Sequence, residues 1–297
     1  MEHNTNWGKL LTSFFQNKSF DDLWKEYSLW RAMYYNGGEL ISHEDVLNLL
    51  SNYSTVFVLP NPFPALRLGI EPVYKAIHTQ EIISNYPHRI NNYFSSNTLL
   101  DIRILYLVAP DFSWLLTLNS PFFEPKCLLK RRDSTMSNID MPNCIAASFN
   151  PNYHISDLAI STVIKKFYQN RSIAELWKQS PSSMLWDCPW GDNVAFEVIS
   201  QIALIEKLQS VKDVFIFSEP LEALYLGLEP RSIRIPCCDL LKNYDHWLRN
   251  PALRGNSLLE IEPLYILDPE YNWLLIITTE NTNTGGTICF LLQVKTD

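Results

Sequence analysis

The chain has 297 residues, 46% of them hydrophobic and 19% charged; it holds enough apolar material for two ordinary domains and falls outside the composition of disordered segments. Its formal charge of −8 is uneven: residues 1–150 carry 12 Lys and Arg against 14 acids, net −2, and residues 151–297 carry 12 against 18, net −6. Such acidity repels phosphate backbones, so no nucleic acid is expected, and it favours a basic protein as partner.

In chain order, Met1–Asn6 is polar and lacks the apolar core of a signal peptide. No apolar run reaches the ~18 residues of a membrane span. A first helix is expected over Trp7–Gln16. Ser19 reads as the N-cap of a second helix, with acids in its first turn. A third helix is expected near 42–51, then a β-rich run over Thr55–Leu59. The tetrad Gly69-x-Glu71-Pro72 is expected to end a strand around Ala65–Leu68, because proline stops pairing. A short helix near 79–94 precedes a hairpin of Ile102–Val108 and Trp114–Leu118. The polar stretch that follows, with Lys130-Arg131-Arg132, reads as a solvated linker.

The same signals then recur about 158 residues later. FVLPNPFPALRLGIEP (57–72) aligns without gaps with FIFSEPLEALYLGLEP (215–230). LLDIRILYLVAPDFSWLL (99–116) aligns with LLEIEPLYILDPEYNWLL (258–275), and QNKSFDDLW (16–24) with QNRSIAELW (169–177). Asn85-Tyr86-x-His88 pairs with Asn243-Tyr244-x-His246. Counterpart helices are expected over Leu158–Gln169, from the cap Ser172, near 194–209 and near 237–249. Strands are expected over Val214–Phe217 and Ala223–Leu226, with a hairpin of Ile261–Leu267 and Trp273–Thr278. Four matching segments in one order indicate an internal duplication. The expected fold is therefore α+β: two tandem copies of one helix-rich unit with a small antiparallel sheet. Unit one spans 1–122, a linker 123–153, and unit two 154–297.

The chemistry-bearing residues form few patterns. Six cysteines lack C-x-x-C spacing and fit buried thiols in a reducing cytosol, so the expected location is cytoplasmic. No His pair or Cys–His set has zinc spacing, and no G-x-S-x-G, P-loop or G-x-G-x-x-G occurs, so neither metal nor cofactor is expected. The recurrent Glu71, His88, Glu229 and His246 suit structural bonds in loops and at helix ends; converged in one cleft, they would give an acid–base site instead. The second unit gains acids in its loops. Glu219, Glu222 and Asp268 stand where the first has Asn61, Pro64 and Ala109, while Glu270 matches Asp111. With Tyr225 and Tyr271, these four acids form the expected surface for a basic partner. A protein-binding module is thus favoured over an enzyme or a structural scaffold.

The segment LYILDPEYNWLLIITTEN (264–281) resembles the Trp-bearing terminal hairpin of small bacterial immunity proteins. That resemblance covers under a tenth of the chain. It implies a cytosolic protein that covers and neutralises a toxin, and it assigns no residue.

Overall fold

The computed structural model describes residues 7–14, 38–91, 104–119, 127–132, 154–168, 171–179, 185, 188–242, 263–279 and 287–295. The first part of the chain gives α1 (Trp7–Ser13), β1 (Glu39–Ile41), α2 (His43–Ser51), β2 (Thr55–Leu59), α3 (Phe63–Arg67), β3 (Lys75–His78), α4 (Thr79–Asn91), β4 (Ile104–Val108), β5 (Trp114–Asn119) and β6 (Cys127–Arg131). The second gives β7 (His154–Ser156), α5 (Ile160–Phe167), α6 (Ile173–Gln179), β8 (Val194–Ile199), α7 (Gln201–Gln209), β9 (Asp213–Ser218), α8 (Leu221–Tyr225), β10 (Ser232–Pro236), β11 (Leu264–Leu267), β12 (Trp273–Thr279) and β13 (Thr287–Val294).

These strands build two sheets, both wholly antiparallel: a six-stranded one in the order β1-β6-β5-β4-β2-β3 and a seven-stranded one in the order β7-β10-β9-β11-β12-β13-β8. Read from β8, the second sheet repeats the order of the first and adds β7 beyond β10. The expectation of helix-rich units with a small sheet is therefore wrong. Large sheets carry the fold, and most helices are short.

The error has local causes. Val194–Ile199 reads as helix because of Ala195 and Glu197, yet it pairs along its length with Cys289–Val294. The helix starts only after the N-cap Ser200, whose hydroxyl accepts from the Ala203 amide. The strands expected at Ala65–Leu68 and Ala223–Leu226 are likewise helical, as α3 and α8. Alternation over four residues does not distinguish the two states. The glycine decides: Gly69 (φ 71°) and Gly227 (φ 73°) take the left-handed conformation that closes a helix. The Ile70 amide then donates to Ala65 O at 2.9 Å, and that of Leu228 to Ala223 O at 2.9 Å.

The expected linker also yields to the sheet. Within 123–153, Cys127–Arg131 forms β6, paired with both β5 and β1. Lys130, expected in solvent, is 2% exposed. Three basic residues in a row look like a solvated run, but a strand sends neighbours to opposite faces.

Each sheet is covered on both faces. Val46 and Leu50 of α2 lie over Val56, Val58 and Trp114, while Trp7, Leu10, Leu11 and Phe14 of the α1 segment cover Leu59, Tyr106 and Leu115. In the second unit Leu204 and Leu208 of α7 cover Val214, Ile216 and Trp273, and Ile160, Val163, Ile164 and Phe167 of α5 cover the opposite face.

The units interlock through the turns after α3 and α8. Leu68 and Ile70 enter the core beneath α7, and α3 lies against β9. Leu224 and Leu226 belong to a core that also holds Val46 and Leu50 of α2, and Leu226 O accepts from Lys75 Nζ at 3.1 Å.

Trp114 and Trp273, 1% and 4% exposed, open corresponding strands. Truncating Trp114 to Ala will cost about 3–5 kcal/mol by denaturant titration, the range for large core aromatics. Its buried Nε1 has no acceptor among the described residues, so Trp114→Phe, which removes that donor, will cost much less.

Burial lowers the Lys130 ammonium to about 7, against about 10.4 in an unfolded chain. Between these values the unfolded state holds a proton that the folded state releases. Stability will therefore rise with pH from about 7 to about 10, by at most about 1.4 kcal/mol per pH unit from this group. Stability curves of Lys130→Met across that range will lack this slope.

Candidate functional site

The six residues expected to form a recognition surface are built into the fold to very different degrees. Glu219 directly follows β9 and turns inward. Its Oε1 accepts from the Leu185 and Leu221 amides, each at 3.0 Å, and its Oε2 accepts from the Tyr265 hydroxyl at 2.5 Å. The neighbouring Tyr168 hydroxyl donates to Leu185 O at 3.1 Å. Burial first, and the Glu219 charge among the further causes, pushes the Tyr168 and Tyr265 phenols well above their ordinary value. Both stay neutral donors. Glu219 is thus a half-buried tie between the residue-185 segment, α8 and β11, and its carboxylate is not free for a partner.

Asp268 is 4% exposed, and its Oδ2 accepts from the Asn272 amide at 3.1 Å. It holds the β11–β12 turn, where Tyr271 takes a positive φ of 60°. Phe112 does the same at φ 58° in the β4–β5 turn, where Asp111 Oδ1 accepts from the Ser113 amide. Tyr271 is half-buried, with Lys166 Nζ 5.7 Å from its ring centre. Tyr225 stacks on Trp177, ring centres 4.2 Å apart. Glu222 is half-buried in α8, and Glu270 stands exposed at the turn. The expected acidic patch therefore shrinks: two carboxylates serve the fold, both tyrosines are engaged, and Glu270 is the acid that faces solvent.

The carboxylates weighed for acid–base work are each tied to a backbone amide. Glu71 Oε2 accepts from the Trp7 amide at 3.0 Å, and Glu229 Oε1 from the Ser161 amide at 2.8 Å. Each glutamate satisfies the start of the first helix of its own unit. His88 falls within α4, while His246 lies outside the described residues.

Two features missed by the sequence reading carry more chemistry. The first is the edge strand β8. Among the described residues its one ladder partner is β13, and its other backbone edge pairs with none of them. Phe196 and Val198, two apart on one face, are 44% and 61% exposed, and Ile202 just beyond is 69% exposed. Phe196 stacks between Trp190 and Phe290, with ring centres 5.4 Å away in each case, and Trp190 meets Tyr168 at 5.1 Å. An aromatic row therefore runs from the core to this edge. Acids flank it, with one cation among them: Glu197 projects from the strand and Asp192 precedes it, both exposed, while Lys295 Nζ donates to Asp192 O at 2.6 Å. Glu270 belongs to the same corner, because the Val294 amide donates to Asn272 O and Val294 pairs with Val194. The alternation in VAFEVI was the available signal.

The second feature is a polar cluster in the first unit. His43 Nδ1 lies 2.9 Å from the Tyr86 hydroxyl and 3.6 Å from Cys127 Sγ, and the hydroxyl lies 3.3 Å from the sulfur. These residues come from α2, α4 and β6, and no sequence spacing announces them. Among the described residues no group of three His, Cys, Asp or Glu could hold a metal ion.

Glu219→Ala will cost about 3 kcal/mol in chemical denaturation, since it strands two amides and a phenol. Glu270→Lys will change stability by less than about 0.5 kcal/mol. Equal costs would show that Glu219 is no structural tie. Comparison of the chain with protein-family models, with curated proteins and with solved structures finds no match in any of the three.

Proposed function

We propose that this chain is a protein-binding module that takes an extended, basic segment of another protein along the outer edge of β8. The observation that carries this reading is the exposure of Phe196 and Val198 on a strand whose outer backbone row has no partner among the described residues. Edge strands are ordinarily blunted by charge or proline because they template pairing. Here the edge keeps two apolar residues on one face, backed by Trp190 and Phe290. Strand addition draws affinity from main-chain hydrogen bonds and specificity from alternate side chains. Phe196 and Val198 supply the apolar contacts, while Asp192, Glu197 and Glu270 favour cationic side chains and faster association.

In its specific form the partner is a toxin and the protein is its immunity factor. The acidic charge of −8 and the resemblance of the terminal hairpin support that form. No helix among the described residues is long and apolar enough to cross a membrane.

Two peptides test the binding mode: a ten-residue chain alternating Lys and Val, and its Glu–Val counterpart. The basic peptide will bind and perturb Trp190 fluorescence, with affinity that falls as salt rises. Val198→Lys will weaken it at least tenfold. Equal binding of the acidic peptide, or an unchanged affinity in Val198→Lys, would overturn the reading.

A further inference from the structure

The two sheets place a cysteine at the same register position. Cys127 pairs with Leu118 at the start of β6, and Cys289 pairs with Ile277 near the start of β13. Both thiols are buried, 4% and 2% exposed. Their surroundings differ at one corresponding position, the first residue of the covering helix: His43 opens α2 after the N-cap Ser42, and Gln201 opens α7 after the N-cap Ser200. Cys289 sits among apolar side chains, and burial pushes its thiol up to about 11. Cys127 instead has an imidazole nitrogen 3.6 Å from its sulfur and a phenol 3.3 Å away. Of the three cluster residues only His43 is half-buried rather than buried.

From this asymmetry we propose that Cys127 is a modification site for small hydroperoxides, with His43 and Tyr86 as its positioning and proton-accepting residues.

The triangle of contacts supplies a proton path. In the neutral cluster the thiol donates to the Tyr86 oxygen and the Tyr86 hydroxyl donates to Nδ1 of His43. Moving both protons one step leaves a thiolate that accepts from Tyr86 and an imidazolium that donates to it. A cation and a hydrogen-bond donor beside sulfur both favour the thiolate, the nucleophilic form. The thiolate attacks one peroxide oxygen. A sulfur–oxygen bond forms and the oxygen–oxygen bond breaks, oxidising the thiol to a sulfenic acid and reducing the peroxide. The departing hydroxide takes the imidazolium proton and leaves as water, so thiol and hydrogen peroxide become sulfenic acid and water.

The other described thiols lack this arrangement. Cys188 donates to Leu176 O at 3.4 Å. Cys237 is pushed up to about 12, by burial first and by Asp213 second. Cys238 is exposed and is best replaced by serine in the test.

The test treats folded Cys238→Ser protein with hydrogen peroxide at pH 7, traps sulfenic acid with a cyclic dione, and resolves each cysteine by peptide mass spectrometry. Cys127 will be trapped at least tenfold faster than Cys289. His43→Gln, which copies the second unit's residue, will bring that ratio close to one without altering the rate at Cys289. Tyr86→Phe keeps the ring and will also slow Cys127. Equal rates at Cys127 and Cys289 in the parent protein would overturn the proposal whatever the variants do. So would an unchanged Cys127 rate in a folded His43→Gln protein.

Discussion

The turn Gly-x-Glu-Pro, at 69–72 and again at 227–230, is the constraint on which the rest of this architecture depends. Its glycine takes a positive φ that other residues adopt only at a cost of about 1–2 kcal/mol. That conformation closes α3 or α8 and throws the next residues away from their own sheet. In the first unit Leu68 and Ile70 flank the glycine and enter the core beneath α7. In the second, Leu226 reaches the β3 end of the first sheet, where Lys75 Nζ meets its carbonyl. The glutamate then turns back and satisfies the amide of Trp7 or Ser161. A single turn thus ends one helix, joins two units and anchors another helix. Its glutamate is a structural anchor, which explains its recurrence without any catalytic cleft.

The second unit extends polar ties that the first holds in smaller form, where Asn61 Oδ1 accepts from the Phe63 amide at 3.3 Å. Glu219 stands where the first unit has Asn61, and it gathers two amides and a phenol that the surrounding apolar core would otherwise leave unsatisfied. Asp268 replaces Ala109 and steadies the turn that carries Tyr271. The extra negative charge of residues 151–297 is therefore partly internal. Of its exposed acids, Asp192, Glu197 and Glu270 flank an edge strand with exposed Phe196 and Val198. The proposed binding edge and the proposed thiol site lie in different units and use different chemistry: apolar contact with main-chain pairing in one, proton transfer to a sulfur in the other.

Several elements were legible from residue order alone. The hairpins around Ala109–Ser113 and Asp268–Asn272, the strands near 55–59 and 214–217, and the cap at Ser172 all follow from local chemistry: turn formers between β-formers, or a hydroxyl before an acid. Ser172 does accept from the Glu175 amide, with Glu175 bonding back. Trp114 and Trp273 were legible as core because large aromatics within alternating apolar runs have nowhere else to go.

What the sequence by itself determined, then, is the internal correspondence of its two halves, the turns, the caps and the identity of the core aromatics. Each depends on interactions within a few residues or on comparison of the chain with itself. Only the tertiary structure decided which short runs become strands and which side chains meet. Val194–Ile199 is a strand because Cys289–Val294 lies beside it, and Lys130 is buried because β6 is flanked by β1 and β5. His43, Tyr86 and Cys127 stand 43 and 41 positions apart along the chain. They meet only because α2 and α4 cover one face of the sheet whose strand β6 carries the sulfur. Pairing partners and cross-chain contacts of that kind are set by burial of the whole sheet, and burial is a property of the folded molecule that no local window contains.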